Sequence, residues 1–557
     1  MTSFKKVLTI LLGVVYVLTM LSGCGSSGKK TPQTSTTSSS DTTSTEATTT
    51  EPAPTAGNPA LPLTQEKVTL KVWRPIIPEA AKIIGSYENN EVQKELEKRT
   101  GIHIEWISPS TSNNQSFEAF NLMVSSNELP DLIYDNAPSM YPGGAGKAVK
   151  DGIYLDVSEL TDQYVPNYKY LRETYETFRK DTITDDGIMP GFFQFYKVET
   201  EDATNPWGGF FVRQDWLDEL GLKVPVTYDD WYATLKAFKE KKNAEAPLFM
   251  YHTAIYPSGE LLSGYQVGPG FYQVDGKVKF GPLEEGYREY LEMLNKWINE
   301  GLISKDFMTN KAPFYNPDAN YVATGKSGIF WAASALTGVY KHLSGNEKYA
   351  LTAIPAPVKN PGDKLYIHGL KGRIGAGVGG MVAVTRACKN TELAAKWINY
   401  LYSPDGQLLT NYGIEGTTYI MVEGKPQLTD VILKSEEGNI NDATYKWTDP
   451  WAMCPDRDLE MSFTEPVHLE NYRIWGQNAG NDWVMPMMLS LTEDETGKFN
   501  SIMSEINTYV SEMTLQFIIG EKPLSDYDEF VAQLKDMKID EAIAIQQAAL
   551  ERYNSRK

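Results

Sequence analysis

The chain is poor in cysteine, in histidine and in positive charge. Its 557 residues include only three cysteines and five histidines. A disulfide scaffold needs more cysteine, and the histidines are not spaced as ligands of a catalytic zinc. The hydrolase motifs G-x-S-x-G and H-E-x-x-H are absent. With 52 Lys and Arg against 72 Asp and Glu, the net charge of −20 argues against nucleic-acid binding, which requires a basic surface.

A long apolar run is also missing, although the chain begins with a short one. Residues 7–20 are mostly apolar and follow Lys5 and Lys6, whereas a bilayer-spanning helix needs about 20 apolar residues. This pattern is typical of a secretory signal peptide, expected here over residues 1–23. It ends in LSGC at residues 21–24, which resembles the bacterial lipobox, in which the cysteine receives a lipid. We therefore expect a membrane anchor on Cys24; the alternative is a plain secreted protein with an incidental cysteine.

The next segment contains little that could be buried. Residues 25–62 are rich in Ser, Thr and Pro, a composition that predicts disorder. We expect residues 24–64 to form a flexible tether that starts at the lipidated Cys24. The body from about residue 65 to residue 557 is too long for one core, so two or three domains are expected. Cys388 and Cys454 are expected to be free and buried, although the sequence leaves a disulfide between them open.

The body alternates short apolar runs with amphipathic helices. KVTLKVW at 67–73 has the alternation of a strand, and the following helix is expected to begin after Asn90 and to end at Gly101. IHIEWI and LPDLIYDN supply two further strands with a helix between them. Thr227 and Asp230 form a variant of the capping box at the start of a later helix. The β-α-β-α-β order predicts an α/β fold with a mostly parallel sheet and helices on both faces.

Two glycine-rich segments match nucleotide-binding motifs only in part. GAGVGG at 375–380 fits G-x-G-x-x-G, but a predicted strand follows it where a helix is required. GKS at 325–327 looks like the end of a Walker A loop, but Asn320 occupies the position of the first glycine. We reject nucleotide binding and expect no cofactor.

Aromatic residues are abundant, with 12 Trp, 32 Tyr and 20 Phe. Flat aromatic rings can cover the apolar face of a sugar while polar side chains hydrogen-bond to its hydroxyls. Each tryptophan alone is better explained by packing, and Trp231 and Trp397 lie on the apolar stripes of helices. As a set, however, the tryptophans beside small or polar residues favour a carbohydrate cleft. These are Trp73, Trp207, Trp331, Trp447, Trp475 and Trp483.

Several segments together resemble one family. They are LSGC, NELPDLI, VRQDWLDELGLKVPVTYDDWYATLKAFK, LNKWINEGLISKDF, GKSGIFWA and NYGIEGTTY. They are similar to the extracellular solute-binding proteins of family 1, specifically the lipoprotein receptors of Gram-positive carbohydrate ABC importers. The resemblance covers most of the chain from Val68 to about Tyr419 and implies an α/β fold like that of type II periplasmic binding proteins, with two lobes and a central ligand cleft.

The resemblance also implies where the chain divides. By analogy, the chain crosses between lobes near Trp207, near residues 369–380 and just after Ser403. The first lobe is then expected to contain 65–207 and 372–404. The second lobe is expected to contain 208–371 and 405–557.

Individual ligand contacts follow from the same resemblance. Trp331 matches a position where such receptors often place an aromatic residue that stacks on sugar. Arg74, Asp135 and Asn136 follow strands whose ends tend to face the ligand in this family. For Glu415 and Tyr419, which belong to a motif of the subgroup, ligand contact and support of the fold both stay open.

One segment departs from the family pattern. Relatives often carry a calcium-binding loop, rich in Asp, Asn and Gly, shortly after the LKAFK helix. That place here reads EKKNAEAPLF at 240–249, where Glu245 alone cannot supply the ligands of a calcium ion. Calcium requires several oxygen ligands from one loop. We therefore expect no metal there.

The leading hypothesis is a monomeric receptor without enzymatic activity. It would be anchored on the outer face of a Gram-positive cell membrane, bind an oligosaccharide and deliver it to the permease subunits of an ABC transporter. One alternative is an anchored glycoside hydrolase, in which two carboxylates would flank the scissile bond. Others are a receptor for peptides or other solutes, and a receptor that reports to a sensor kinase.

Overall fold

Two separate hydrophobic cores divide the chain into two lobes. The computed structural model describes residues 55–111, 115–136, 139–372, 378–435 and 440–557, so the expected signal peptide, Cys24 and most of the tether lie outside the described residues. One core draws on residues between 70 and 195, between 381 and 409, and from 451 to 454. The other draws on residues between 198 and 370 and between 461 and 542. Within the described ranges the helices are too short or too polar to span a bilayer.

The first passage of the chain builds most of lobe 1. Its strands are β1 (Val68–Trp73), β2 (Ile102–Ile107), β3 (Leu132–Asp135) and β4 (Phe192–Phe195). Its helices are α1 (Pro78–Ile84), α2 (Glu91–Thr100), α3 (Gln115–Ser126), α4 (Ala145–Lys150), α5 (Ser158–Tyr164), α6 (Pro166–Thr174) and α7 (Glu176–Asp181). The prediction for α2 is confirmed, since the Asn90 side chain accepts a hydrogen bond from the backbone N–H of Gln93 and Gly101 ends the helix at a φ of 76°.

The second passage builds lobe 2. Its strands are β5 (Gly208–Arg213), β6 (Phe271–Val274), β7 (Lys277–Phe280), β8 (Ile329–Ala333) and β9 (Leu351–Ile354). Its helices are α8 (Gln214–Leu220), α9 (Tyr228–Lys242), α10 (Glu260–Ser263), α11 (Glu285–Asn299), α12 (Ala319–Val322) and α13 (Thr337–Ser344). The capping box of Thr227 and Asp230 is present at the start of α9, and Trp231 on that helix is buried as expected.

The chain then returns to lobe 1 and finally to lobe 2. The return to lobe 1 contains β10 (Val378–Val384), α14 (Thr391–Tyr402), α15 (Pro404–Tyr412), β11 (Tyr419–Val422), β12 (Lys425–Leu428), α16 (Asp430–Leu433) and α17 (Ile440–Trp447). The last passage contains α18 (Arg457–Phe463), α19 (Pro466–Gly476), α20 (Glu493–Ile519), α21 (Tyr527–Asp536) and α22 (Ile539–Ser555). Cys388 and Cys454 are both buried and are not joined to each other.

The sheet of lobe 1 has the strand order β2-β1-β3-β10-β4. β1 is parallel to β2 and β3, whereas β10 runs antiparallel to β3 and β4. Strands β1, β2, β3 and β4 therefore all run in the same direction, and β10 runs against them. The prediction of a mostly parallel sheet is confirmed for this lobe. Lobe 2 has the order β8-β5-β9, with β5 antiparallel to both neighbours.

The chain crosses between the lobes at three places that differ in part from the expected ones. Phe195 belongs to the core of lobe 1 and Val198 to that of lobe 2, so the first crossing precedes Trp207. The second crossing lies between Leu370 and Met381. The third follows Cys454 instead of Ser403, which corrects the assignment of residues 405–456 to lobe 2.

Residues 405–456 stay in lobe 1 because they pack on its helices and strands. Helix α15 contacts α2, and α17 contacts α1 and α2. Tyr445 shares a small apolar cluster with Ile76, Ile77 and Tyr87. The Arg74 guanidinium also forms an ion pair with Asp449.

The ordered body begins before residue 65, which corrects the end of the expected tether. The backbone N–H of Gly57 donates to Asn167 Oδ1 at 2.7 Å, and the backbone N–H of Asp405 donates to Asn58 Oδ1 at 2.8 Å. The Leu63 N–H donates to the Thr100 carbonyl at 2.9 Å. Residues 57–63 therefore lie against lobe 1.

The C-terminal helix of lobe 2 contacts lobe 1 through a group of five residues that we call the clasp. They are Arg552, Tyr553 and Arg556 of lobe 2 and Asp181 and Asp185 of lobe 1. The guanidinium groups of Arg552 and Arg556 donate to the Asp185 carboxylate at 2.9 and 2.7 Å. The Tyr553 hydroxyl donates to Asp181 Oδ1 at 2.7 Å. Asp181 ends α7 of lobe 1 and Asp185 follows it, so the clasp stabilises this arrangement of the two lobes.

Substitution of Asp185 by alanine is expected to favour arrangements in which the lobes lie further apart. The change removes two partly buried ion pairs that together contribute about 1–2 kcal/mol, so the ratio of open to closed molecules should rise by about 5- to 30-fold. Small-angle X-ray scattering of the ligand-free protein should show a larger radius of gyration. Asp186→Ala is the matched control, because Asp186 pairs with Lys150 inside lobe 1 at 2.5 Å. An Asp185→Ala protein with the wild-type radius would contradict this role for the clasp.

Candidate ligand-binding cleft

The edge of each sheet that lies at the crossings defines the candidate cleft. In lobe 1, β4 ends at Phe195 and leads directly into the first crossing. The carboxyl ends of the parallel strands β1 and β3, at Trp73 and Asp135, lie at the same edge. In lobe 2, β5 begins at Gly208, opposite Ala333 at the end of β8. Crevices beyond the carboxyl ends of parallel strands are the usual ligand sites of α/β folds.

Five aromatic side chains follow one another at this edge of lobe 2, and we call them the aromatic row. The row consists of His252, Tyr251, Phe314, Trp331 and Trp207. The successive distances between ring centroids are 4.2, 6.2, 4.9 and 5.7 Å. The first three side chains are partly exposed, whereas the two tryptophans are buried. The partly exposed rings are able to cover the apolar face of a sugar.

The exposed end of the row is positioned by strand β8. Leu248 is in register with Ile329 as a parallel bridge, and the Phe249 N–H donates to the Ile329 carbonyl at 2.9 Å. This segment runs alongside β8 and delivers Tyr251 and His252 to the edge. On the other side, the Ala333 N–H donates to the Tyr315 carbonyl at 2.9 Å and holds the loop that carries Phe314.

Four of the tryptophans predicted to contact ligand belong to the hydrophobic cores: Trp73, Trp207, Trp331 and Trp475. Trp331 is 1% exposed, and its indole N–H donates to the Glu260 carboxylate. Trp73 is also 1% exposed and packs edge-on against Phe120. Trp475 is buried, and its indole N–H donates to the Phe210 carbonyl at 3.1 Å. These rings are covered by their own lobes and do not present a face to a ligand in this structure, so their contact with a ligand stays a prediction.

Arg74 also differs from its expected role. Its guanidinium is fully buried, pairs with Asp449, and lies 4.2 Å from the ring centroid of Tyr87 and 4.8 Å from that of Tyr134. Burial alone would lower the pKa of Arg74, but the Asp449 carboxylate holds this pKa above its ordinary value. Arg74 therefore joins the end of β1 to the segment after α17. Its guanidinium is not accessible to a ligand in this structure.

Asp135 and Asn136 follow β3 but have different surroundings. Asp135 is buried, and its carboxylate accepts hydrogen bonds from the Met140 N–H and the Tyr154 hydroxyl, each at 2.9 Å. Burial raises the pKa of the Asp135 carboxyl above its usual value. Asp135 thus orders the loop that follows β3, and its contact with a ligand stays a prediction. Asn136 is exposed at the cleft edge and is free to meet a ligand there.

The remaining predicted residues lie in lobe 1 and at the start of lobe 2. Tyr419 is buried against Tyr412, and its carbonyl accepts from the Gly416 N–H at 2.8 Å, so this part of the NYGIEGTTY motif supports the fold. Glu415 is exposed, and Trp447 at the end of α17 is partly exposed. Trp207 is buried at the inner end of the aromatic row.

Sequence reasoning missed the partly exposed members of the row. Phe314 and Tyr315 stand between prolines and asparagines in KAPFYNP, and Tyr251 precedes a histidine. These are aromatics beside polar residues, the pattern used above to select tryptophans, and the same pattern applied to Tyr and Phe would have included them. Trp483, which the pattern did include, is partly exposed and stacks on Tyr366 with ring centroids 4.4 Å apart.

A small cavity of about 230 Å³ adjoins the row in lobe 2. Its polar lining comes from Ser304, Asp306, Thr309, Asn310, Lys311, Asp318 and Tyr321. Phe249 and Met250, which directly precede Tyr251, form part of its apolar side. The cavity is smaller than the pockets of about 300–1,000 Å³ that hold drug-sized ligands, so it could take only part of an oligosaccharide.

The place of the family's calcium loop is occupied by an ion pair. Glu245, the carboxylate found there, pairs with Lys326 at 2.9 Å. In the part of the chain that the structure describes, three or more His, Cys, Asp or Glu residues do not come together as a metal site.

Comparison with known proteins places this two-lobed fold among solute-binding proteins. The family described as bacterial extracellular solute-binding protein matches residues 81–408, and the chain belongs to that family. The fructooligosaccharide ABC transporter substrate-binding protein FusA of Streptococcus pneumoniae is 24% identical, over 88% of this chain and 92% of that protein. The polygalacturonan/rhamnogalacturonan-binding protein YtcQ of Bacillus subtilis is 23% identical, over 79% and 83%. Lipoprotein LipO of the same organism is 26% identical, over 64% and 69%.

Solved structures confirm the fold. The alginate-binding protein AlgQ2 without calcium has a TM-score of 0.63 at 24% identity, with coverage of 88% of this chain and 99% of that chain. An extracellular solute-binding protein from Bifidobacterium longum subsp. infantis has a TM-score of 0.68 at 19% identity, with coverage of 88% and 99%. The expected α/β fold of two lobes with a cleft between them, as in type II periplasmic binding proteins, is therefore confirmed.

Proposed function

We propose that this protein is a receptor that binds an oligosaccharide outside the cell and delivers it to the permease subunits of an ABC transporter, without catalysing a reaction. Membership of the solute-binding family and relatives named for fructooligosaccharide and for polygalacturonan/rhamnogalacturonan binding support this proposal. The observation that carries it is the aromatic row, whose partly exposed rings stand at the edge of lobe 2 where the chain crosses to lobe 1.

Binding would be coupled to closure of the lobes. The first and third crossings run side by side, because the Phe195 N–H donates to the Met453 carbonyl at 2.8 Å and the Lys197 N–H donates to the Pro455 carbonyl at 2.9 Å. This paired segment is suited to act as a hinge. A ligand closes the cleft only if it binds the closed arrangement more tightly than the open one. Tyr251 and Phe314 from lobe 2, together with Asn136 and Trp447 from lobe 1, would supply that difference.

The receptor would act at the cell surface as a monomer. The lipobox-like LSGC at 21–24 supports a lipid on Cys24, and the relatives FusA, LipO and YtcQ come from Gram-positive bacteria. Two acyl chains would suffice for a stable anchor on the outer face of the membrane. The Ser/Thr/Pro-rich segment would then hold the lobes away from the surface. Mass spectrometry of the membrane-bound protein would test this, since a Cys24→Ala variant should lose the lipid and appear in the medium.

Substitution of Tyr251 by alanine is expected to weaken sugar binding by about 5- to 30-fold, because a truncated aromatic anchor typically costs about 1–2 kcal/mol of binding energy. The ligand would first be found by thermal-shift screening of an oligosaccharide panel, in which a sugar at 100 times its Kd stabilises by about 2.7 kcal/mol. Calorimetry would then measure Kd for each variant.

Tyr170→Ala is the matched control for this test. Tyr170 is 56% exposed on α6 of lobe 1, so its loss should leave Kd unchanged. If Tyr251→Ala bound the sugar as tightly as the wild-type protein, the aromatic row would not be the site.

A further inference from the structure

A buried carboxylate lies directly behind the aromatic row. Glu260 begins the short helix α10, is 1% exposed, and accepts the Trp331 indole N–H through Oε1. Its second oxygen, Oε2, is buried without a hydrogen-bond partner among the described residues. The Ser258 hydroxyl and the Trp207 indole N–H are also buried without a hydrogen-bond partner among the described residues. Ser258 is 3% exposed and Trp207 is 6% exposed.

Glu260 and Trp207 both contact Trp331, and Ser258 lies two residues before Glu260 in the chain. Together with His368 we call these residues the floor cluster. The ring of Trp207 lies 5.7 Å from that of Trp331, and Glu260 holds the other edge of the same indole. The Ser258 carbonyl accepts from the Gly369 N–H at 2.8 Å, which places residue 258 beside His368. Burial lowers the pKa of the His368 imidazole below its ordinary value.

The floor cluster lies where two crossings leave lobe 2. The Gly372 N–H donates to the Thr204 carbonyl at 2.8 Å, and the Lys371 ammonium donates to Asn205 Oδ1 at 3.0 Å. The segment just before Trp207 therefore runs beside the segment just after His368. The cluster thus lies at the base of the cleft between the lobes.

Polar atoms that are buried without a partner are rare, because each costs about 1–3 kcal/mol. Two of them belong to side chains that contact the Trp331 indole, and the third lies two residues from Glu260 in the chain. At the base of a ligand cleft, they point to a site that a ligand completes. The combination is suited to hydroxyl groups: Glu260 Oε2 accepts a hydroxyl hydrogen, the Trp207 N–H donates to a hydroxyl oxygen, and Ser258 can do either.

The charge at this site distinguishes between kinds of sugar. In a poorly solvated cleft, the Glu260 carboxylate would repel the carboxylate of a uronic acid. Four cationic side chains near the crossings are paired with carboxylates: Arg74 with Asp449, Lys197 with Asp456, Arg457 with Glu460, and Arg473 with Asp202. The Lys371 ammonium donates to the neutral Asn205 side chain, so Glu260 is the charged group that distinguishes the sugars in the floor cluster itself.

We propose that Glu260, Ser258 and Trp207 bind hydroxyl groups of the ligand, and that the protein consequently takes neutral oligosaccharides in preference to uronic-acid oligosaccharides. The inference rests on the proposed function and narrows its substrate class. The three groups belong to lobe 2 and are buried in the present arrangement, so the cleft must open and the lobe 2 side chains that cover them must move before a ligand reaches them.

Calorimetric titration of the full ectodomain with two series of sugars tests the inference. The neutral series contains fructo-, xylo-, manno-, malto- and galacto-oligosaccharides, and the acidic series contains oligogalacturonates and oligoalginates. At least one neutral sugar is expected to bind more than 10-fold tighter than every acidic one. Binding of acidic sugars alone would overturn the inference and leave the proposed function standing, whereas binding of neither series would overturn both.

Glu260→Gln separates a ligand contact from a merely structural role. The amide keeps an acceptor for Trp331 but removes the charge, so affinity for the neutral ligand should fall by about 10- to 100-fold. The preference for neutral over acidic sugars should shrink as well, whereas a structural defect would weaken both series equally. Glu240→Gln, at an exposed position of α9, is the matched control and should change neither value. An unchanged preference in Glu260→Gln would overturn the role of this carboxylate.

Discussion

Replacement of Asp449 by alanine is expected to lower the free energy of unfolding by about 3–5 kcal/mol, because it leaves the Arg74 guanidinium charged and buried without its partner. Asp449 accepts from the Arg74 guanidinium, from the Gln93 side-chain amide at 3.0 Å and from the Trp451 N–H at 2.8 Å. It therefore joins β1, α2 and the segment before the third crossing. Urea unfolding monitored by tryptophan fluorescence would measure the loss.

Two further variants show whether the buried charge is the cause. Asp162→Ala removes an exposed ion pair with Lys169 at 2.7 Å and should change stability by less than about 1 kcal/mol. The double change Arg74→Met with Asp449→Leu should recover at least half of the loss, because it removes both charges and fills the space with apolar side chains. A loss below 1 kcal/mol for Asp449→Ala would show that Arg74 is not held in the way described.

Replacement of Trp331 by alanine is also expected to lower the free energy of unfolding by about 3–5 kcal/mol, the usual range for a large aromatic residue in a core. Trp331 packs against Phe314 and Trp207 and bonds to Glu260, so its loss leaves a cavity and an unpaired carboxylate. Phe117→Ala, at an exposed position in lobe 1, should change stability by less than about 0.5 kcal/mol.

The Trp331 variant also decides between the two roles considered for this residue. If Trp331 is a core residue, its replacement should lower the free energy of unfolding. It should weaken sugar binding only indirectly, by displacing the aromatic row. If Trp331→Ala kept its stability within 1 kcal/mol and lost sugar binding, Trp331 would stack on the ligand as the family resemblance implied.

Local features of the fold were predictable because they depend on neighbouring residues. Short segments are enough to predict the strand alternation of Val68, Leu70 and Val72 and the helix caps at Asn90 and Gly101. The structure confirms these features. The third crossing was not predictable in this way. It depends on Arg74 meeting Asp449, two residues 375 positions apart in the chain, and no local pattern indicates that contact.

The candidate site was harder to predict than the fold. In IFWAA every residue of β8 is buried, so the small neighbours of Trp331 indicate close packing in a fully covered strand. A small neighbour is therefore consistent with both a core and a ligand platform. Tyr251 and Phe314 become candidates only once their exposure and their place beside β8 are known.

The central claim is that two lobes close on an oligosaccharide and release it unchanged. Calorimetric titration of a neutral sugar from the thermal-shift screen into the purified protein tests this most directly. The heats should saturate at one sugar per protein chain, and the sugar should be recovered intact. A steady heat that continues after every injection, together with shortened sugars in the calorimeter cell, would show that the protein hydrolyses the sugar. That result would contradict the claim.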